Sequence, residues 1–135
     1  MSAKGNIEVM RGIFSAIERR DPQGVLDLYH PDVEFFWPPS LPYGAGDRGS
    51  WAQTWIPLQP TEAERRLDPR VVAATEEEVV VLWQQRGVNA AGDRFDGPVL
   101  GLYQVRDGKL SRAQMFYFDT VPLVRFLASA KERTA

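Results

Sequence analysis

The hydrophobic pattern changes its period along the chain, and this change is the feature that most limits the possible fold. Over residues 6–20, apolar residues recur at three- and four-residue steps, which is typical of an amphipathic helix. From residue 70 onward, stretches rich in Val, Leu, Trp, Phe and Tyr predict long β-strands instead. Helices followed by a run of strands indicate an α+β fold.

Local signals mark where the other helices start and end. Asp21 followed by Pro22 predicts an N-cap and a first helical residue, and we expect this second helix to end near His30-Pro31. Thr61 and Glu64 have the spacing of a capping box at the start of a short helical turn. Asp119 or Thr120 is expected to cap a last helix that closes one end of the sheet.

The strands are expected to form neighbouring antiparallel pairs. A short strand over 32–37, stopped by two prolines, is expected at an edge or a mouth of the sheet. Asp107-Gly108 predicts a two-residue hairpin because both residue types tolerate positive φ. The predicted long strands are 70–75, 78–88, 95–106 and 110–118.

Length and charge restrict the classes of protein that fit. A chain of 135 residues suits a single domain over 1–135. The formal net charge of −2, without a basic tract, argues against a nucleic-acid-binding protein. There is no cysteine and no long apolar run, so we expect neither disulfides nor a membrane span, and a cytoplasmic location.

Two motifs resemble the SnoaL-like, nuclear-transport-factor-2-like superfamily. They are Val33-Glu-Phe-Phe-Trp-Pro38 after two helices and the hairpin run from Tyr103 to Thr120 around Asp107-Gly108-Lys109. The resemblance covers nearly the whole chain. It implies N-terminal helices packed in the concave face of a strongly curved antiparallel sheet, a cone-shaped, cystatin-like roll that encloses a pocket. It also implies a homodimer.

The same resemblance implies cofactor-free acid/base chemistry of the cyclase, isomerase or hydrolase type on an apolar polycyclic or aromatic, polyketide-like substrate. The positions where relatives keep an acid/base aspartate fall on 35–37, 100–102 and 114–116, where this sequence has no carboxylate. The catalytic candidates are therefore other residues with hydrogen-bonding or titratable groups: Asp119, Tyr117, Gln114 and His30. A capping role is favoured for Asp119, and Asp96 is a further candidate of low weight.

Large aromatic side chains are frequent for so small a domain, and strand alternation places some of them on one face with amide groups. Arg86 and Arg112 could polarise a ligand oxygen if they point inward. A single histidine without cysteine predicts no metal, and the glycines of 44–49 follow a proline loop rather than a strand, so no nucleotide cofactor is expected. The expected substrate-binding residues are Trp37, Tyr43, Trp51, Trp55, Trp83, Gln85, Tyr103, Met115 and Phe116.

The alternative is a non-catalytic protein that binds an apolar ligand in the same pocket. An enzyme predicts at least one inward carboxylate or histidine, whereas a binding protein predicts a pocket whose polar groups are neutral. The loop over 38–50, with its prolines and aromatic residues, is expected to act as a lid over the pocket in either case.

Overall fold

A computed structural model describes residues 2–43 and 49–134 of the chain. Within these residues the helices are α1 (Ala3–Glu18), α2 (Pro22–Leu26), α3 (Ser50–Trp55), α4 (Glu62–Arg65) and α5 (Thr120–Thr134), and a 3₁₀ turn spans Ile56–Leu58. The strands are β1 (Tyr29–Phe36), β2 (Arg70–Ala74), β3 (Glu78–Val88), β4 (Arg94–Arg106) and β5 (Lys109–Tyr117). The predicted α+β class is confirmed.

Helix α1 packs its apolar face on the sheet, as the three- and four-residue spacing predicts. Val9, Met10, Ile13 and Phe14 are buried in the main core cluster. Near the start of the helix, the fully buried Asn6 donates through Nδ2 to the carbonyls of Thr75 and Glu76, between β2 and β3. This polar contact fixes the register of α1 against the sheet.

Helix α2 starts as predicted and ends earlier than predicted. Asp21 Oδ1 accepts a hydrogen bond from Gly24 N at 3.0 Å, and Pro22 is the first helical residue. The expected end at His30-Pro31 is wrong: the helix ends at Leu26. Leu28 O instead accepts a hydrogen bond from Leu110 N at 2.8 Å, so the chain enters β1 at Tyr29.

The sheet order is β1-β5-β4-β3-β2. Strands β2 to β5 form the predicted antiparallel neighbours, and the Asp107-Gly108 turn has the expected positive φ at both residues. Strand β1 lies at an edge, as expected, and pairs with β5 in parallel rather than antiparallel orientation. The parallel pairing is possible because α3, α4 and three strands separate the two partners along the chain.

The sheet curls around α1. This helix contacts β2, β3 and β5, which belong to both halves of the sheet. Register shifts, which increase local twist, occur in the β2–β3, β4–β5 and β1–β5 pairs. A concave inner face results, and the core residues of β3, β4 and β5 lie on it.

A second cluster closes one end of the sheet, as predicted for the last helix. Leu123 and Phe126 of α5 pack with Trp55 and Phe95, and the Trp55 and Phe126 rings are stacked 5.8 Å apart. In the part of the chain that the structure describes, no helix has the length and apolar character needed to cross a membrane.

Candidate functional site

A cavity of about 640 Å³ lies between α1 and the inner face of the sheet. Its floor comes from β1, β4 and β5 through Phe35, Tyr103 and Met115, and α1 covers it with Ile13 and Phe14. This volume lies within the range of small-molecule sites. The cavity is therefore large enough for a ligand of two or more rings.

Three tryptophans form one wall of the cavity. Trp37, directly after β1, stacks on Trp51 of α3 with the rings 6.3 Å apart and nearly parallel. Trp51 meets Trp83 of β3 edge-on at 6.2 Å. All three line the cavity, so a flat ligand would meet ring faces and edges rather than flexible side chains.

Tyr103 provides a hydroxyl group at the cavity wall. Its oxygen accepts a hydrogen bond from Trp83 Nε1 at 3.0 Å, so the phenolic hydrogen is left for another acceptor. Burial raises the pKa of Tyr103 well above its ordinary value. The group is therefore a neutral hydrogen-bond donor at physiological pH.

A second set of polar groups lies behind the tryptophan wall. Trp51 Nε1 donates to Gln85 Oε1 at 3.1 Å, and Trp55 Nε1 donates to the Tyr43 hydroxyl at 2.9 Å. Burial raises the pKa of Tyr43 to about 12, and it raises the pKa of Tyr117 well above its ordinary value. Three of the buried donors that have no hydrogen-bond partner among the described residues belong to this region: Trp37 Nε1, Gln85 Nε2 and the Tyr117 hydroxyl.

The Tyr117 hydroxyl belongs to the same set of polar side chains, because it interacts with Tyr43 and Trp51. The geometry of these contacts is not that of a hydrogen bond. Buried donors without partners are costly, so an oxygen atom of a water or ligand would be stabilised there. Indole, amide and hydroxyl groups can all donate, so each of them would be satisfied by an oxygen acceptor.

The cavity opens where its lining becomes exposed. Leu26 and Ile56 line it and are 49% and 51% exposed. Arg20, Asp21 and Arg65 also line the cavity. Charged groups therefore occur at the opening, whereas the wall formed by tryptophans and Tyr103 is neutral.

The structure brings together five of the expected substrate-binding residues as cavity lining: Trp37, Trp51, Trp83, Tyr103 and Met115. Tyr43, Trp55 and Gln85 are buried beside them, and Tyr117 lies behind the tryptophan wall. Phe116 is 48% exposed and alternates with the inward Met115, which places it on the outer face of the sheet. Gln114 shares that outer face.

The remaining candidate acids and bases lie outside the cavity. Asp119 is exposed, and its Oδ1 accepts a hydrogen bond from Val121 N at 3.0 Å, at the start of α5. The His30 ring on β1 contacts Arg106, with 3.2 Å between Nε2 and the guanidinium. Asp96 is exposed and contacts Gln84 and Arg86 on the outer face.

The two arginines considered as polarising groups also point away from the cavity. Arg86 forms ion pairs with Asp68 and Asp96, and Arg112 lies 4.5 Å from the centre of the Phe36 ring. Among the described residues, no group of three acidic or histidine side chains is arranged to hold a metal ion. The central part of the expected lid, residues 44–48, lies outside the described residues.

Sequence reasoning missed Arg20, Asp21 and Arg65 as lining residues. Asp21 was recognised as a helix cap, which it is, but the cap also lies beside the cavity. Arg20 has a φ of 58°, a left-handed conformation that is uncommon for a residue with a side chain, and no sequence pattern indicates it. The apolar stripe of α1 could have identified the cavity cover, since Met10, Ile13 and Ile17 line it.

Known proteins share this fold. The profile of the SnoaL-like domain matches residues 10–113. TerC, crystallised with polyporic acid, is 25% identical with a TM-score of 0.77, and the match covers 92% of this chain and 98% of that one. A putative polyketide cyclase from Xanthomonas campestris pv. campestris is 21% identical with a TM-score of 0.67, covering 93% and 98%.

A protein of unknown function with a cystatin-like fold, from Xanthomonas campestris, is 19% identical to this chain with a TM-score of 0.71, and the match covers 94% and 98% of the two chains. No curated protein matches the chain. The predicted cystatin-like roll is confirmed by these structural matches and by the curled sheet.

Proposed function

The chain belongs to the SnoaL-like domain family, a family of small-molecule enzymes, and from this premise we propose that it acts without a cofactor on an apolar, ring-containing substrate held in the cavity. The observation that carries the proposal is the Tyr103 hydroxyl, which lies at the cavity wall, accepts from Trp83 and keeps its own hydrogen for a substrate oxygen.

The walls support an aromatic or polycyclic substrate. Trp37, Trp51 and Trp83 present rings to the cavity, and the lining from α1 is aliphatic or aromatic. Such a surface gains most from burying a flat apolar molecule. TerC, the structural relative crystallised with polyporic acid, supports the same class of ligand.

The proposed chemistry is enolisation of a substrate carbonyl: the α C–H bond breaks, its proton passes to a water molecule that enters through the opening, and the electron pair moves to the carbonyl oxygen. A hydrogen bond from Tyr103 to the carbonyl oxygen becomes stronger as that oxygen gains negative charge, so it lowers the barrier to enolisation. The high pKa of Tyr103 keeps the donor protonated throughout. The unpartnered Trp37 Nε1, on a residue that lines the cavity, offers a further donor.

Hydrogen–deuterium exchange tests this chemistry. β-Tetralone, an enolisable two-ring ketone, is incubated with the protein in D₂O, and loss of the α-proton signal is followed by NMR. We expect the wild type to accelerate the exchange and Tyr103→Phe to lower the exchange rate about 100-fold, which is the usual effect of removing one such donor. Gln114→Ala, on the outer face, is the matched control and should retain the wild-type rate.

A second candidate function is non-catalytic binding of an apolar ligand. Asp21 is the one carboxylate among the described cavity-lining residues, and it lies at the opening, where it already accepts from Gly24 and contacts Arg19. A cavity without a deeper base favours binding over catalysis. Saturable quenching of tryptophan fluorescence by β-tetralone, with exchange no faster than in buffer, would favour this second function.

A further inference from the structure

We infer that the opening of the cavity is a subsite for an anionic substituent of the ligand, such as a carboxylate, sulfonate or phenolate, held by Arg20 and Arg65. The inference rests on the proposed function, because it assumes that the cavity holds a ring-containing molecule. It adds that this molecule is an acid whose charged group stays at the opening while its rings enter the apolar part.

The two guanidinium groups converge on one backbone oxygen. Arg20 Nη2 and Arg65 Nε donate to the carbonyl of Gln59 at 3.1 Å and 3.0 Å. Two positive charges therefore lie beside each other, and they repel. The pKa of Arg20 is lowered, first by partial burial and then by the charge of Arg65.

No carboxylate among the described residues forms an ion pair with either arginine. Their known partners are neutral oxygens: Arg20 contacts Gln59 and Ile56, and Arg65 contacts Gln59 and Pro60. Within the described chain, Arg20 Nε and Nη1 and Arg65 Nη1 have no such contact. These donors suit an anion, to which a guanidinium forms its strongest hydrogen bonds.

The nearby acids are already engaged. Asp21, which also lines the cavity, caps α2 through Gly24 and lies 3.4 Å from Arg19. Glu18 accepts from Leu67 N at 2.8 Å. Glu64 accepts from Thr61 in the capping box of α4. Arg20 and Arg65 face only one lining carboxylate, Asp21, so the described lining carries a net positive charge at the opening.

The backbone holds Arg20 in place at the end of α1. Its φ of 58° is unfavourable for a residue with a Cβ atom, and the two hydrogens of Nη2 are shared among three oxygen atoms of Ile56 and Gln59, which hold the side chain. The guanidinium is thus oriented before a ligand arrives, which lowers the entropy cost of binding.

Two fluorescent probes with the same rings test the subsite. 1-Anilinonaphthalene-8-sulfonate carries a sulfonate, whereas N-phenyl-1-naphthylamine lacks it. We expect the wild type to bind the sulfonate probe at least tenfold more tightly, as one charge-assisted contact allows. Displacement of the neutral probe by the charged one checks that both occupy one site.

Variants at Arg65 distinguish the loss of its positive charge from a general structural effect of the substitution. Arg65→Gln should lower the affinity for the sulfonate probe about tenfold and the affinity for the neutral probe less than about twofold. Arg65→Lys keeps the charge and should lower the affinity for the sulfonate probe less than Arg65→Gln does. Arg66→Gln is the matched control because Arg66 is exposed and pairs with Asp68 outside the cavity. Circular dichroism verifies that each variant is folded.

The outcomes distinguish this inference from the proposed function. If both probes bind with equal affinity, or if Arg65→Gln lowers both affinities to the same degree, the inference of an anionic subsite is wrong, whereas binding of apolar molecules in the cavity is still supported. If neither probe binds the folded wild type, the subsite and the proposed function both fail. If only the sulfonate probe depends on Arg65, and added salt reduces this preference, the subsite is supported.

Discussion

Trp83 donates its indole N–H to the hydroxyl of Tyr103 at 3.0 Å, across the inner face of the sheet. The two residues are not directly opposite: Tyr103 pairs with Val79, and Trp83 pairs with Val99. The Tyr103 ring must therefore lie along β4, over Gly101, to reach the indole. The contact orients both the wall and the main polar group of the cavity.

The first prediction concerns the loss of this hydroxyl. Tyr103→Phe leaves the Trp83 N–H buried without an acceptor, so the free energy of unfolding should fall by about 1–3 kcal/mol. Urea unfolding followed by tryptophan fluorescence measures the change. An unfolding free energy equal to that of the wild type would mean that water reaches the indole and that the contact is not sheltered.

Tyr117→Phe makes a contrasting pair with that variant. The Tyr117 hydroxyl is buried and has no hydrogen bond within the described residues, so its removal relieves an unmet desolvation cost. We expect the free energy of unfolding to stay the same or to rise by up to about 1 kcal/mol. A loss comparable to that of Tyr103→Phe, again in urea, would show that the hydroxyl has a bound water or another partner.

Gly101 is predicted to be required for the orientation of Tyr103. A methyl group at this position would overlap the Tyr103 hydroxyl, so Gly101→Ala should displace the ring and destabilise the protein by about 2–3 kcal/mol. Affinity for the neutral naphthylamine probe should fall with it. Gly92→Ala is the control: nothing lies within 4 Å of a methyl group there, and only its φ of 85° opposes the change.

Signals within a few residues of each other predicted local structure well. The Asp21 cap, the Thr61–Glu64 capping box and the Asp107-Gly108 turn all form as expected, because their chemistry is complete within four residues. The parallel pairing of β1 with β5 could not be found in this way, since its partners are distant in sequence and are chosen by the packing of the whole sheet.

The same limit applies to the candidate site. Successive residues of a strand point to opposite faces of the sheet, so Met115 and Phe116 cannot both face inward. The sequence alone could not decide which of them does, and both were therefore expected to bind ligand. The inward set of Trp83, Gln85 and Tyr103 was recognised because β3 and β4 are long and regular. The homodimer and the cytoplasmic location stay predictions.

The last prediction follows from the buried phenols. Burial raises the pKa of Tyr43 from 10.0 to about 12, and it raises those of Tyr103 and Tyr117 as well. The folded protein thus keeps protons that the unfolded chain releases above pH 10, so this stability is fully present below pH 10 and is lost as pH rises from 10 toward 12 and beyond. Each phenol should lower the unfolding free energy by up to about 1.4 kcal/mol per pH unit in that window.

Urea unfolding between pH 9 and 11.5 measures this dependence, and absorbance at 295 nm reports phenolate formation. Phenolate from the buried tyrosines should appear together with the loss of near-ultraviolet circular dichroism, because ionisation requires opening of the core. Tyr43→Phe removes one of the three groups and should make the slope shallower, whatever it does to stability at pH 8. An unchanged slope would mean that Tyr43 ionises in the folded protein, and that solvent reaches the group behind the tryptophan wall.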